Sequence, residues 1–360
     1  MDRRQFLVST AAGAVTLAAG TAAVSAADKL KAGFIYVGPV GDFGYSYQHD
    51  LGRKAVEKAL GDRVETSFAE NVSEGADAER VINQFASTGY GIVFATSFGF
   101  MNAAVKVAAR YPKIKFEHAT GYKRGPNLAT YSARFYEGRT VVGRIVAHMT
   151  KNGKIGYIGS FPIPEVVNGI NAFTIALRRI RPDAEVHVIW AGSWYDPGKE
   201  SAAAKALIDQ GCDVICQHTD SPAAVQAAQE RGIWAVGQSS DMTSFGPKAH
   251  LTAIVENWTG YYVDRVKAVL DDSWKPIDTW GGLSSGMVQL APLNPAIPAD
   301  VQDLAKQTIA DISSGALHPF AGPIKDQTGK LVVAEGQHAS DPDILSMAYF
   351  VEGVQGTLPT

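Results

Sequence analysis

Aromatic rings stand at the ends of short apolar runs throughout this chain, and rings placed that way hold a flat ligand by stacking. The loops are Gly38-Pro39-Val40-Gly41-Asp42-Phe43-Gly44-Tyr45, Ser97-Phe98-Gly99, Phe161-Pro162-Ile163-Pro164 and Gly192-Ser193-Trp194-Tyr195-Asp196. Stacking a base on an aromatic ring contributes roughly 1–3 kcal/mol and does not choose among bases. Tyr45 and Trp194 are the pair expected to cover the two faces of one ligand, with Phe43 and Phe161 beside them. Selectivity then needs in-plane partners: carboxylates to accept from ring N–H groups, and carboxamides to pair a donor with an acceptor. Asn171, Asp220, Asp241, Asn257 and Glu137 fall at strand or helix ends and are the candidates. Taken singly, each also reads as a turn or cap residue, Asp220 before Ser221-Pro222 above all.

Catalytic signals are poor. The eight histidines are scattered, and no His-x-x-x-His or Cys-x-x-Cys pair occurs. The serines of Gly156-Tyr157-Ile158-Gly159-Ser160 and Gly192-Ser193 lack nucleophile-elbow spacing. His118 and His218 lie near strand ends, where a lone histidine reads as structural. No catalytic residue, metal or cofactor is therefore expected. Gly38-x-x-Gly41-x-x-Gly44 invites a dinucleotide reading, because glycines let backbone amides approach a pyrophosphate. Its spacing differs from Gly-x-Gly-x-x-Gly, and Phe43 and Tyr45 crowd the phosphate position. Glycines that let a ring enter a cleft fit the other loops better. Cys212 and Cys216 lie four apart in an apparent strand, about 13 Å between Cα atoms, beyond disulfide reach; two free buried thiols are expected.

The surrounding chain must position these loops. Its 360 residues are 46% apolar, enough for two domains. Lys plus Arg number 33 against 36 Asp plus Glu, so there is no bulk pull toward nucleic acid or anionic lipid. Residues 1–26 read as an export signal: Arg3-Arg4-Gln5-Phe6-Leu7 resembles a twin-arginine motif, and Val24-Ser25-Ala26 is a small-x-small cleavage pattern. The mature chain is expected to begin near Ala27 in the periplasm, without a membrane-inserted segment.

From Lys31, β-branched or aromatic runs alternate with amphipathic ones, the rhythm of a parallel sheet with crossover helices. Strands are expected at 32–37, 64–68, 91–96 and 115–120, with helices at 47–60, 74–87 and 101–110. After a helix at 136–149 the rhythm restarts, with strands at 154–159, 186–191, 213–217, 234–237 and 251–255. The fold class is therefore α/β, with two doubly wound parallel-sheet lobes, a hinge and an interlobe cleft. The expected lobes are 27–135 plus about 258–290, and about 136–257 plus about 291–360. Ligands of open α/β sheets bind beyond the carboxyl ends of the strands, where the aromatic loops lie.

The order of the export signal, Asp42-Phe43-Gly44-Tyr45-Ser46-Tyr47-Gln48, Glu137-Gly138, Ile155-Gly156-Tyr157-Ile158-Gly159, Gly192-Ser193-Trp194-Tyr195-Asp196-Pro197-Gly198-Lys199, Gly211-Cys212-Asp213-Val214-Ile215 and Gly237-Gln238-Ser239-Ser240-Asp241 resembles the basic membrane protein family of substrate-binding proteins. The resemblance covers essentially the whole mature chain. It implies a two-lobed type I periplasmic binding protein with three interlobe crossovers, delivering its ligand to the permease subunits of an ABC importer, and a monomer is expected. Characterised relatives bind purine nucleosides or free purine bases. By position, the family's stacking rings fall on Tyr45 and Trp194 and its late acidic residue on Asp241, while Asp220 and Asn257 occupy loops the family uses. A lysine that nucleoside-binding relatives place near ribose falls on Glu256, which turns the expectation toward a free base: adenine first, then guanine or hypoxanthine. The alternatives are a nucleoside binder, a periplasmic nucleosidase or hydrolase, the sensing lobes of a transcription regulator, and a sugar binder.

Overall fold

The computed structural model describes residues 29–359, so the expected export segment lies outside the described residues. The first lobe begins with β1 (Leu30–Ile35), α1 (Tyr45–Leu60), β2 (Val64–Ala69), α2 (Ala76–Ser87), β3 (Ile92–Ala95), α3 (Met101–Arg110), β4 (Lys115–Ala119) and β5 (Leu128–Ala133). All four residues of β3 and the last four of β1 are buried, as strands covered by helices on both faces must be. Ala78, Val81, Ile82 and Phe85 form the buried stripe that seats α2 on this sheet.

The second lobe follows with α4 (Phe135–Met149), β6 (Lys154–Gly159), α5 (Pro164–Ile180), β7 (Glu185–Trp190), α6 (Pro197–Asp209), β8 (Val214–His218), α7 (Ala223–Arg231), β9 (Trp234–Gln238) and β10 (His250–Glu256). Asp196 caps α6 by accepting from Lys199 N at 3.0 Å, with Pro197 in the first turn where its missing N–H costs nothing. The chain then returns to the first lobe through α8 (Thr259–Leu270) and β11 (Asp278–Gly281). It passes back through β12 (Val288–Leu290), α9 (Ala299–Ser314), a small hairpin of β13 (Ile324–Lys325) and β14 (Leu331–Val333), α10 (Asp341–Leu345) and β15 (Val354–Gln355).

The sheet orders are β11-β5-β4-β3-β1-β2 and β12-β10-β9-β8-β6-β7-β15. Their central strands carry the same wiring twice, each sheet reversing its order beside its first strand. That reversal opens a crevice at the carboxyl edge, where such folds bind ligands. The chain passes between the sheets three times: after β5, after β10 and after β11.

The returning segment is tied down by chemistry as well as packing. Buried Glu117 on β4 accepts from Arg265 Nε at 2.6 Å, Tyr261 OH at 2.7 Å and Trp274 Nε1 at 2.6 Å, which locks α8 and its following turn to the first lobe. Gly52 lets α8 approach α1, since a Cβ there would stand 2.5 Å from the Tyr262 ring. Cys212 and Cys216 are free and buried, and burial pushes their thiols up to about 11 and about 12.

Candidate functional site

Between the carboxyl edges of the two sheets lies a narrow cleft. Tyr45, Phe98 and Thr120 line it from the first lobe; Glu165, Trp194 and Asp220 face them from the second. His218, Gln238 and Ser239 complete the second-lobe wall.

The lobes are closed on each other. Gly44 N donates to Ser240 Oγ at 2.8 Å, and Gln48 Nε2 donates to the same oxygen at 3.3 Å. Trp194 Nε1 donates to Glu74 Oε1 at 3.2 Å, and Ser132 Oγ to Glu165 Oε2 at 3.3 Å. The lobes also approach closely at Gly44, whose φ is 87° and where a Cβ would stand 3.1 Å from the carbonyl oxygen of Asp220. Only glycine combines that dihedral with that approach. The glycines of this loop thus serve a lobe contact and the entry of α1, with Tyr45 as the first helical residue.

Both principal rings are braced from behind. Tyr45 packs edge-on against His49 at 4.3 Å, and His49 stacks on Trp258 at 5.0 Å while pairing with the Tyr262 hydroxyl. Trp194 leans on Phe161 with ring centres 5.1 Å apart. Thr120 and Ser239, which follow the equivalent strands β4 and β9, have φ of 59° and 61°. Such conformations cost on the order of 1–3 kcal/mol in non-glycine residues and concentrate at functional sites. Each is held by a 2.7 Å backbone bond to the neighbouring strand, Thr120 N to Tyr131 O and Ser239 N to Ile254 O.

Three carboxyl groups converge here from different elements of the second lobe. Burial pushes Glu165 up to about 7 and the fully buried Glu256 up to about 8, with each opposed by the nearby Arg139 charge. Asp220 is held well above the carboxylate range, by burial first and then by Glu200 and Glu256. The Tyr45 hydroxyl at the cleft is buried with no hydrogen-bond partner in the protein. A buried polar atom left this way costs about 1–3 kcal/mol, which a hydrogen bond from a bound molecule would offset. His218 and His118 are held below their ordinary range, His118 at about 4, chiefly by burial.

Of the nine expected binding residues, the structure brings Tyr45, Trp194 and Asp220 together at the cleft. Phe161 stands behind Trp194, and Phe43 packs edge-on against Phe245 at 5.0 Å, across the lobe contact. Four other candidates lie outside the cleft lining. Asn171 is buried in α5, where it donates to Tyr349 O at 2.7 Å and accepts from Val351 N at 3.0 Å, pinning the C-terminal segment. Asp241 is exposed and closes a turn by accepting from Thr243 N at 3.0 Å. Asn257 does the same for Thr259 N, at 3.1 Å, at the start of α8. Glu137 accepts from Leu283 N at 2.7 Å beside the third crossing between sheets. Replacing Asn171 with alanine should therefore lower stability by about 1–3 kcal/mol in a melting experiment, through the orphaned Val351 amide, without changing ligand affinity.

Glu165, Gln238 and Ser239 line the cleft without a loop position that announces them, and His218, which reads as structural from the sequence, lines it too. A signal was present: β8, β9 and β10 are apolar strands whose last residues are His218, Gln238 and Glu256. One Gly-x-Ser-x-Gly run exists, Gly282-Leu283-Ser284-Ser285-Gly286, but it lies in the turn between β11 and β12 and not on a strand-to-helix elbow. Among the described residues no group of three or more His, Cys, Asp or Glu is placed to hold a metal, and no helix is long and apolar enough to cross a membrane.

Two doubly wound lobes closing over one polar, ring-lined cleft define a type I periplasmic binding fold, and solved structures share it. A solute-binding protein from Aeropyrum pernix K1 superposes with a TM-score of 0.71 at 20% identity, covering 82% of this chain and 94% of its own. A transcriptional activator of the comK gene from Bacillus halodurans gives 0.67 at 20% identity, covering 80% and 99%. The chain belongs to the Bmp family of PnrA-like ABC transporter substrate-binding proteins, whose family model matches residues 29–316. A purine-binding protein of Brucella abortus (strain 2308) is 56% identical over 337 residues, 94% of this chain and 96% of its own length. A putative ABC transporter glucose-binding protein of Haloferax volcanii is 37% identical over 337 residues, 93% of this chain and 83% of its own.

Proposed function

We propose that this protein is the periplasmic solute-binding component of an ABC importer and that it binds a free purine base, adenine, by closing its lobes over it. The observation that carries this reading is the cleft itself: Tyr45 and Trp194 on opposing lobes, with Glu165 and Asp220 at the wall beside them. Two rings supply the stacking a purine needs. A carboxyl group that keeps its proton offers an O–H donor beside a carbonyl acceptor, and adenine presents the complementary pair, a ring nitrogen beside its exocyclic amine. Glu256 occupies a buried position behind the cleft and brings no cation for a sugar. The 56% identity to a purine-binding relative supports the same class.

Binding proceeds without chemistry: one lobe takes the base, the other closes, and the closed form is read by the permease. Export follows the twin-arginine route into the periplasm, with cleavage near Ala26. The test is calorimetry with adenine, guanine, hypoxanthine, their nucleosides and glucose. Adenine should bind tightest, and replacing Trp194 with alanine should weaken it by roughly 1–3 kcal/mol with the fold intact. Binding of glucose alone, as the Haloferax relative's name would have it, overturns the purine reading; release of a free base from adenosine overturns the reading as a binder without catalysis.

A further inference from the structure

Arg139 on α4 places a fully buried charge near the cleft. Only its Nη2 is engaged, donating to Gln238 Oε1; Nε and Nη1 have no partner in the protein. Its guanidinium lies 5.5 Å from the centre of the Tyr157 ring, behind the second-lobe wall. Gln238, the last residue of β9, is 2% exposed and lines the cleft. Its Nε2 donates to Ser239 Oγ at 3.2 Å.

We propose that Arg139 is a positioning residue that sets the hydrogen-bond polarity of the cleft: it fixes the Gln238 carboxamide with the oxygen turned inward and an N–H offered to the ligand. This rests on the purine reading and deepens it, because it assigns an acceptor, a ring nitrogen, to the ligand edge that meets Gln238. A glutamine amide is ambiguous in isolation, and its orientation follows from its network. A guanidinium has five N–H donors, no acceptor, and keeps its proton in proteins. Turning the amide over would set its NH2 against those donors and lose a charge-assisted bond, which is about twice as strong as a neutral one. With the oxygen held by Arg139 and one N–H held by Ser239, the remaining N–H is what the amide offers. A ligand with a donor or a C–H at that edge leaves this N–H unpaired when the lobes close, and an unpaired buried donor is how such sites reject close analogues.

The experiment measures affinities of the full-length mature protein for adenine and for 1-, 3- and 7-deazaadenine, each of which replaces one ring nitrogen by C–H. The native protein should lose about tenfold with one of the three and less with the others. Arg139→Met should shrink that gap to less than about threefold, since the amide is then free to turn. Gln238→Glu keeps Arg139 paired but presents an oxygen, so adenine should weaken by about tenfold or more and the selective deaza penalty should vanish. A purely structural role for Arg139 would lower the melting temperature and leave the pattern across the analogues unchanged, which overturns the proposal. Equal affinity of the native protein for all four compounds also overturns it. If Arg139→Met does not fold, the native series and Gln238→Glu decide. A native protein that binds no purine brings down the functional reading itself, whereas purine binding without nitrogen preference brings down only this inference.

Discussion

Raising the pH through the range from about 6 to 9 should weaken both the fold and ligand binding of this protein, and Glu256→Gln should flatten that loss. Glu256 is fully buried, with burial holding its carboxyl up at about 8, and Glu165 stands at about 7. In the unfolded chain both ionise near the ordinary carboxylate value of about 4.3. Their folded values are raised, so the stability they contribute is complete below that value, is lost as the pH climbs from there to about 7 for Glu165 and about 8 for Glu256, and levels off above. Holding a proton to one pH unit higher in the fold than in the unfolded chain corresponds to about 1.4 kcal/mol, so Glu256 alone accounts for a loss of several kcal/mol. The histidines act in the opposite direction. His118 and His250 are held down at about 4, so they stay neutral in the fold while the unfolded chain takes up protons, and stability falls as the pH drops through the range from 6.5 to 4. Below about pH 6.5 the two sets oppose each other, and above it only the carboxyls change, so the expected profile falls on the alkaline side. Melting curves across the range measure it for the native protein and for Glu256→Gln. A level profile between about pH 6 and 9 would show that these carboxyls are not buried as described. Glu165 and Asp220 stand at the cleft wall, so adenine titrations at the same pH values should lose affinity on the alkaline side.

Gly44→Val should abolish tight ligand binding and leave each lobe folded. The residue has φ of 87°, and its Cβ would meet the Asp220 carbonyl at 3.1 Å, with Asp220 Cβ at 3.3 Å. With ψ of −178° this is an extended positive-φ conformation that is essentially glycine-only, so a side chain there costs on the order of 1–3 kcal/mol, and overpacking at a contact that cannot retreat adds about 1–3 kcal/mol. The clash exists only where the two lobes meet, so the closed form carries the second cost. Affinity should fall about thirtyfold or more. Calorimetry checks this, with small-angle scattering to read the radius of gyration. Native affinity in the variant would mean that closure does not bring Gly44 against Asp220. Gly192→Val is the control: its φ is 59°, but no atom stands within 4 Å of its Cβ, so its binding should change far less.

Much of this architecture was legible without coordinates because its cues are local. Buried parallel strands read as continuous apolar runs such as Ala32-Gly33-Phe34-Ile35, and helices as stripes such as Ala78, Val81, Ile82 and Phe85. Loops after those strands had to form the ligand edge, which placed Tyr45 and Trp194. Of the polar candidates only Asp220 lines the cleft, for a physical reason. Asp and Asn at loop starts are good partners for a ligand and equally good partners for the next backbone amides, and Asp241 and Asn257 took the second course. Asn171 is engaged by Val351, 180 residues away, and no local pattern carries that pairing.

The chain's own order of residues thus determined the two α/β lobes, the aromatic loops and the absence of a bulk charge for nucleic acid, since each follows from periodicity, turn chemistry or composition. Tertiary structure decided which polar groups remained free. Glu165, Gln238 and Glu256 come from a helix and two strands that meet only when the sheets are assembled, and Arg139 reaches Gln238 across 99 residues. A hydrogen-bonding group carries the same chemistry whether a neighbouring amide engages it or a closing cleft leaves it unpaired, and only the packed three-dimensional arrangement distinguishes the two.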